Sequence, residues 1–199
     1  MSKIKLMEDK ELSPQESLDL IQSMIGKARQ RYTDNSFHFL LWGWIIIVAS
    51  TAHFYLLEFT DYPNPAYVWL LNFVGVVGSS IKGFRDGKQK VVTNYSDKVY
   101  GWLWLALGIS MFIIVLNGFY LNWQLVPYIL IMVGIGTFVS GAMMHFKLLQ
   151  LGGIICWILC FIAFRVPESY QMLIMAGGML LGYLVPGYIM KFKAKRNGL

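Results

Sequence analysis

The sequence predicts an all-α, polytopic integral membrane protein with six transmembrane helices, arranged as three hairpins and preceded by an amphipathic helix. Of the 199 residues, 56% are hydrophobic and only 14% are charged, and the mean hydropathy is +0.52. Apolar segments close to the length that crosses a bilayer, about 20 residues, occur six times. Basic residues gather between alternate segments, as they do in proteins that cross a membrane repeatedly.

The N-terminal segment, residues 1–36, is expected to lie in the cytoplasm without a cleavable signal peptide, because it lacks a continuous apolar core. Ser13 as N-cap, Pro14 at the first helical position and Glu16 three residues after the cap form a capping box. We therefore expect an amphipathic helix over about 13–31 that lies on the inner leaflet or across the mouth of the bundle. Three basic residues near its end are candidate lipid or partner contacts: Lys27, Arg29 and Arg31. Docking of a cytoplasmic protein partner is the alternative role for this helix.

Six apolar segments supply the predicted transmembrane domain, residues 37–192. They cover residues 37–57, 67–84, 100–119, 125–146, 148–164 and 172–190, and a basic tail follows at 193–199. With the N-terminus inside, every one of the 17 Lys and Arg residues except Arg165 falls on the cytoplasmic side, so both termini are predicted to be cytoplasmic. Lys88 and Lys90 in the long loop are expected to contact anionic lipid headgroups.

An internal repeat supports the hairpin arrangement. A 58-residue offset aligns Gly43 and Trp44 with Gly101 and Trp102, and Gly78 with Gly136. The even-numbered spans carry small residues at helical spacing, which let backbones approach closely in lipid, so we expect these three helices to form the packed centre. The candidate packing or hinge residues are Gly75, Gly78, Gly83, Gly136, Gly141, Gly178, Gly182, Pro186 and Gly187. A broken helix that lines a transport pathway is the alternative role for these glycines and the proline.

Polar side chains within the spans form a second set of candidates. Asn72, Ser79, Thr137 and Ser140 either hydrogen-bond between helices or line a narrow polar cavity. Hydrogen bonding between helices is the preferred interpretation. Asn72 needs a partner most, because an unpaired amide in an apolar interior costs several kcal/mol, about 2–7.

The third hairpin brings sulfur atoms to similar depths. Counting from its external turn, Cys160 and Met175 share one level, and Cys156 and Met179 share the next. Soft sulfur ligands are suited to Cu(I), but Met and Cys also fill gaps in apolar bundles, and packing is the preferred interpretation. No histidine-based metal site and no cofactor are predicted, because no histidine has a paired carboxylate or third ligand at metal spacing.

Enzymatic and nucleic-acid functions are not predicted. The sequence contains no His-Glu-x-x-His motif, no paired intramembrane aspartates and no nucleotide-binding glycine loop. The net charge of +6 is distributed around apolar segments, so membrane topology explains it without nucleic acid.

Two segments carry a family resemblance. Phe39–Trp44 (FLLWGW) and Gly182–Tyr188 (GYLVPGY) resemble the corresponding parts of small six-span bacterial inner-membrane proteins of an uncharacterised family. The resemblance implies a bacterial inner membrane and the six-span topology, and it implies no activity. We therefore expect a non-enzymatic scaffold, sensor or regulatory module that acts at the cytoplasmic face, either alone, with a protein partner or as a homo-oligomer. The alternative is a small transporter or channel, which would also be compatible with an oligomer.

Overall fold

The computed structural model describes the backbone of residues 13–89 and 95–196, and side chains for residues 13–15, 36–85 and 98–196. Its first helix, α1, runs without interruption over 46 residues, Pro14–Phe59. The start agrees with the predicted cap at Ser13. The predicted end of a separate amphipathic helix near Arg31 is wrong, since residues 32–36 contain neither Gly nor Pro and therefore nothing that ends a helix.

The described residues are helical almost throughout and contain no strand. After α1 come a 3₁₀ turn at Pro65–Leu70 and then α2 (Leu71–Gln89), α3 (Tyr95–Leu116), α4 (Leu125–Met143), α5 (Lys147–Ala163), α6 (Glu168–Met179), a π-helical turn at Leu180–Leu184, and α7 (Val185–Arg196). Five apolar stretches are long enough to cross a membrane: Ser36–Phe59, Pro65–Arg85, Lys98–Leu116, Leu125–Met143 and Glu168–Arg196. The remaining predicted span, 148–164 and the fifth in chain order, corresponds to α5, a shorter apolar helix of 17 residues.

Neighbouring helices run antiparallel, which gives the bundle two distinct ends. Phe39 of α1 packs on Tyr183, whereas Phe54, four turns further along α1, packs on Tyr170 at the start of α6. Lys193 near the end of α7 lies over the ring of Phe146, in the turn between α4 and α5. We call this end of the bundle the basic end. The described basic residues at this end are Lys82, Arg85, Lys98, Lys147, Lys191, Lys193, Lys195 and Arg196.

The packed centre is formed by α4, α5 and the last helix, with α1 against the last helix. Half of the apolar stretch of α4 and half of that of the last helix are buried, whereas α2 and α3 bury almost nothing. The expectation that the second span lies in the centre together with the fourth and sixth is therefore wrong. Its small residues face α1 at Gly75 and Gly78, while Gly83 faces open space.

Two glycine contacts bring the central backbones together. A Cβ atom on Gly153 of α5 would lie 2.7 Å from the carbonyl oxygen of Gly134 in α4. A Cβ atom on Gly152 would lie 2.9 Å from the Cα atom of Gly182 in the π turn. Both distances are shorter than real Cβ contacts, so only glycine permits these crossings. The adjacent glycines 152 and 153 thus place α5 against α4 on one side and against the last helix on the other.

The π turn interrupts the last helix just before Pro186. Proline has no backbone N–H and its ring clashes with the carbonyl of residue i−4, here Gly182, so a regular α-helical hydrogen bond cannot form at this point. A π turn accommodates the extra backbone by widening one turn of the helix. The helix nevertheless continues through Pro186 into α7, so the glycine–proline segment is a local distortion and not a break.

We expect Gly153→Ala to destabilise the protein and Gly108→Ala to leave it unchanged or slightly more stable. A Cβ atom at position 153 overpacks the α4–α5 contact and costs about 1–3 kcal/mol. Gly108 has open space around it, so the same change there gains the higher helix propensity of alanine, up to about 1 kcal/mol. The free energy of unfolding in mixed detergent micelles measures both. Equal stability of the two variants would contradict the close α4–α5 packing.

Candidate functional site

Tryptophan-to-serine hydrogen bonds join the helices of the first two hairpins. Trp42 Nε1 of α1 donates to Ser79 Oγ of α2 at 3.0 Å, and Trp104 Nε1 of α3 donates to Ser140 Oγ of α4 at 3.2 Å. In the 58-residue repeat, Trp42 and Ser79 of the first hairpin align with Tyr100 and Thr137 of the second. Tyr100 precedes Trp104 by one helical turn, and Thr137 precedes Ser140 by one helical turn. The first hairpin therefore has one polar contact at this level, and the second hairpin has two layers of polar side chains.

These side chains of the second hairpin surround Tyr183 of the π turn. The hydroxyl of Tyr183 lies within hydrogen-bonding reach of Thr137, whose own hydroxyl donates to the Val133 carbonyl at 2.7 Å. The hydroxyl of Tyr100 lies within hydrogen-bonding reach of Ser140 and Trp104. The buried hydroxyls of this region therefore have partners on neighbouring helices or on their own backbone, which satisfies the requirement for buried polar groups.

Aromatic rings complete the group. The ring of Phe39 in α1 lies 5.1 Å from that of Tyr183 and 6.4 Å from that of Trp104, both in edge-to-face geometry. The ring centroids of Trp104 and Tyr183 are 6.5 Å apart. Such pairs contribute about 0.5–1.5 kcal/mol each beyond burial. We call this group the hydroxyl–aromatic cluster; it comprises Phe39, Tyr100, Trp104, Thr137, Ser140 and Tyr183.

The cluster joins four parts of the chain at the basic half of the bundle: α1, α3, α4 and the π turn. The π turn determines where Tyr183 points, and Gly43 of α1 permits the approach, because a Cβ atom there would lie 3.2 Å from the Tyr183 Cβ and 2.7 Å from Leu184 Cδ2. Gly187 makes the next contact with α1, against Leu40 and Phe39. α1 therefore packs directly against the π turn and the start of α7.

The predicted cavity residues have different environments. Ser79 and Ser140 accept hydrogen bonds from tryptophans of a neighbouring helix, whereas the hydroxyl of Thr137 donates to the Val133 carbonyl of its own helix. Asn72 is different, because its side-chain oxygen is buried and has no hydrogen-bond partner among the described residues. The hydroxyl of Ser50 in α1, which is fully buried, also lacks one.

A histidine lies one turn beyond Ser50 towards the other end of the bundle. His53 is buried, and its Nδ1 accepts a hydrogen bond of 2.7 Å from Trp69 Nε1 in the 3₁₀ turn before α2. Because Nδ1 is an acceptor, the neutral ring carries its proton on Nε2. No motif in the sequence predicts this bond, because His53 and Trp69 are 16 residues apart and lie on different elements.

Gln171 of α6 was not identified from the sequence. It is 1% exposed, its Nε2 donates to the Val166 carbonyl at 3.2 Å, and its Oε1 has no partner among the described residues. It lies in the first turn of α6, and no motif in the sequence marks it.

The four sulfur-bearing candidates are all buried in the same core. Cys156, Cys160, Met175 and Met179 are at most 5% exposed, and neither cysteine is in a disulfide. In the described part of the chain, no three His, Cys, Asp or Glu side chains gather as a metal site would require. Methionine, whose thioether sulfur also binds soft metals, is not one of these four residue types.

The candidate packing residues are mostly in contact with another helix. Gly75 faces Trp42 and Ile45, Gly78 faces Leu41, Gly136 faces Leu107 and Trp104, Gly141 faces Gln150, Gly178 faces Leu130, Gly182 faces Cys156 and Gly152, and Gly187 faces Leu40, while Pro186 is buried. Gly83 has no contact in the described structure. Gly43, Gly134, Gly152 and Gly153 were not predicted as packing residues, although the adjacent pair 152–153 in the shortest span was a visible signal.

The basic residues proposed as lipid or partner contacts fall outside the described side chains. The backbone at Lys27, Arg29 and Arg31 is part of α1, and that at Lys88 is part of α2, whereas Lys90 lies outside the described residues altogether. Their role stays a prediction.

Comparisons with known proteins give no assignment: no family model, no curated protein and no solved structure matches this chain.

We expect the Trp104–Ser140 hydrogen bond to stabilise the protein measurably. A double-mutant cycle with Trp104→Phe and Ser140→Ala should give a coupling energy of about 0.6 kcal/mol, and up to about 1.7 kcal/mol, as for other hydrogen bonds between membrane helices. The free energy of unfolding in detergent is the measurement. Trp102→Phe with Ser140→Ala is the control cycle, since Trp102 is exposed, and coupling there should be absent.

Proposed function

We propose that this chain is a six-span membrane protein that acts as a non-enzymatic scaffold, sensor or regulatory module at the cytoplasmic face of a bacterial inner membrane. Five apolar stretches long enough to cross a bilayer and the shorter α5 support six crossings, because 17 residues is the lower limit for a spanning helix. The gathering of basic residues at one end of the bundle supports placing that end in the cytoplasm.

The observation that carries the proposal is the continuity of α1. Its apolar stretch begins at Ser36, so the preceding helical residues 14–35 extend from the basic end for about 33 Å, at about 1.5 Å per residue. We call residues 14–35 the arm. A continuous helix transmits a tilt or rotation of the arm into the bundle, whereas a separately hinged helix would absorb it.

Inside the bundle, α1 contacts the π turn and the start of α7, so a tilt or rotation of α1 would act on them. Gly43 touches Tyr183 and Leu184 of the π turn, and Leu40 and Phe39 touch Gly187. An event at the arm, such as binding of anionic lipid or of a cytoplasmic protein to Lys27, Arg29 and Arg31, would thus reach the hydroxyl–aromatic cluster through one rigid helix.

We expect the state of the arm to change the reactivity of the Cys156 thiol, which lies against Gly182 of the π turn. In a Cys160→Ser background in nanodiscs, replacing zwitterionic with anionic lipid should change the rate of Cys156 labelling by a membrane-permeant maleimide. Each basic residue near an anionic surface contributes about 1 kcal/mol of binding free energy. If the free energy of one such contact is transmitted to the π turn, the labelling rate should change roughly fivefold.

Two variants test the route of that effect. The triple change Lys27→Gln, Arg29→Gln and Arg31→Gln should abolish the response to anionic lipid, and Asn35→Pro should do so by interrupting α1. The control Lys191→Gln, Lys195→Gln and Arg196→Gln removes three charges from the same end outside the arm and should keep the response. An equal response in wild type and Asn35→Pro would refute coupling through α1.

The six-span topology predicts a definite labelling pattern in a cysteine-free background. Cysteines at Asn64, Asn122 and Glu168 should react with an impermeant maleimide from outside the cell, and those at Ser13 and Lys147 only after permeabilisation. The pair 147 and 168 tests α5, the shortest apolar helix. Labelling of both from one side would show that α5 does not cross the membrane.

A small transporter or channel is the second candidate, favoured by the unpartnered buried oxygens of Ser50, Asn72 and Gln171. In a pathway, such atoms would be satisfied by a passing ion or by water. This function would be supported if the purified protein conducts ions in planar bilayers and Asn72→Leu abolishes the conductance. Absence of conductance with an intact arm response supports the module.

A further inference from the structure

We propose that Cys156, Cys160, Met175 and Met179 form a binding site for a monovalent soft metal ion, Cu(I), between α5 and α6. The site goes beyond the proposed function: it involves neither the arm nor the basic end, and it shares with that proposal only Cys156, the reporter of the labelling experiment. It assigns a ligand chemistry to side chains that the hydroxyl–aromatic cluster does not use.

The register of the two helices brings the four residues to two adjacent levels. α5 and the last helix are antiparallel, with Gly152 against Gly182 at one level and Leu159 against Gly178 further along. These contacts place Cys156 opposite Met179 and Cys160 opposite Met175. The two levels are four residues, about 6 Å, apart along each helix. Each level therefore offers one thiol and one thioether.

All four side chains face the interior. Their exposed fractions are 0% for Cys156, 5% for Cys160, 3% for Met175 and 1% for Met179, and they belong to one buried cluster with Leu130 and Val133 of α4. Gly182 of the π turn lets the Cys156 thiol lie against the backbone of the last helix, since a Cβ atom there would be 3.2 Å from Cys156 Sγ. An apolar surrounding protects Cu(I) from water and from oxidation.

The donor set selects for the ion. Thiolate and thioether sulfurs bind soft Cu(I), whereas harder divalent ions prefer imidazole and oxygen ligands, and the four residues of the site offer only sulfur. Binding displaces the proton of one thiol to solvent, and one thiolate with one Cu(I) is neutral overall. A neutral complex avoids the cost of several kcal/mol that a charge pays in hydrocarbon.

The test uses the reduced full-length protein in detergent, loaded anaerobically with Ag(I) as a redox-inert probe and then with Cu(I). After removal of free metal, we expect about one retained ion per chain by mass spectrometry and a sulfur-only coordination shell by X-ray absorption. Zn(II) at the same concentration should not be retained. Retention of Zn(II) in place of Ag(I), or nitrogen or oxygen ligands in the shell, would overturn the proposal.

Matched variants identify the ligands. Cys156→Ser with Cys160→Ser should reduce retention to background, and Met175→Leu with Met179→Leu should weaken binding about tenfold or more. Leucine conserves the volume of methionine, so the second variant tests binding in a bundle that keeps its packing. Met190→Leu is the control, because Met190 is equally buried but lies near the basic end.

The outcomes separate a metal site from ordinary packing. Unchanged silver affinity in Met175→Leu with Met179→Leu, or the same loss in Met190→Leu, would show that the methionines only fill space. Met175→Leu with Met179→Leu keeps Cys156, the thiol that reports the arm response. Loss of metal binding in that variant with an unchanged labelling response would therefore support the metal site and leave the proposed function standing.

Discussion

The direct contact between glycine backbones is the constraint on which the rest of this structure depends. In a bilayer, apolar side chains gain little by moving from lipid to protein, so helices associate through close packing and hydrogen bonds. Gly152 and Gly153 allow α5 to touch the π turn on one side and α4 on the other. Without this approach, the side chains of the hydroxyl–aromatic cluster would be separated by the width of at least one side chain.

The same close approach allows buried polar groups to reach hydrogen-bond partners on neighbouring helices. At the level of Tyr183, hydroxyls and indole nitrogens find partners across helix boundaries, and edge-to-face rings fill the space between them. The helices α2 and α3 are held by fewer contacts. For α2 these are mainly the Trp42–Ser79 hydrogen bond and the His53–Trp69 hydrogen bond in the 3₁₀ turn before it. The bundle thus has a rigid centre of three helices with α1 alongside, and two outer helices exposed to lipid.

The sequence predicted the features that depend on composition and local pattern. The helical class, the start of α1 at Pro14 and the gathering of basic residues at one end follow from apolar lengths, capping chemistry and charge. It could not predict which glycines lie in the centre, because Gly83 and Gly153 look alike until the partner helix is known. Nor did it predict the continuity of α1 through residues 32–36, where polar composition suggested a boundary although no residue there ends a helix.

The π turn has a consequence for the direction in which the C-terminal part of the chain points. A turn of this kind holds one residue more than an α-helical turn, so every side chain after Leu184 is rotated by about 100° relative to an uninterrupted helix. In α7 this rotation decides which residues face α1 and the α4–α5 turn, including Gly187 against Leu40 and Lys193 over Phe146. The single additional residue therefore acts as a phase shift in the helix, and it turns Gly187, Met190 and Ala194 towards the bundle.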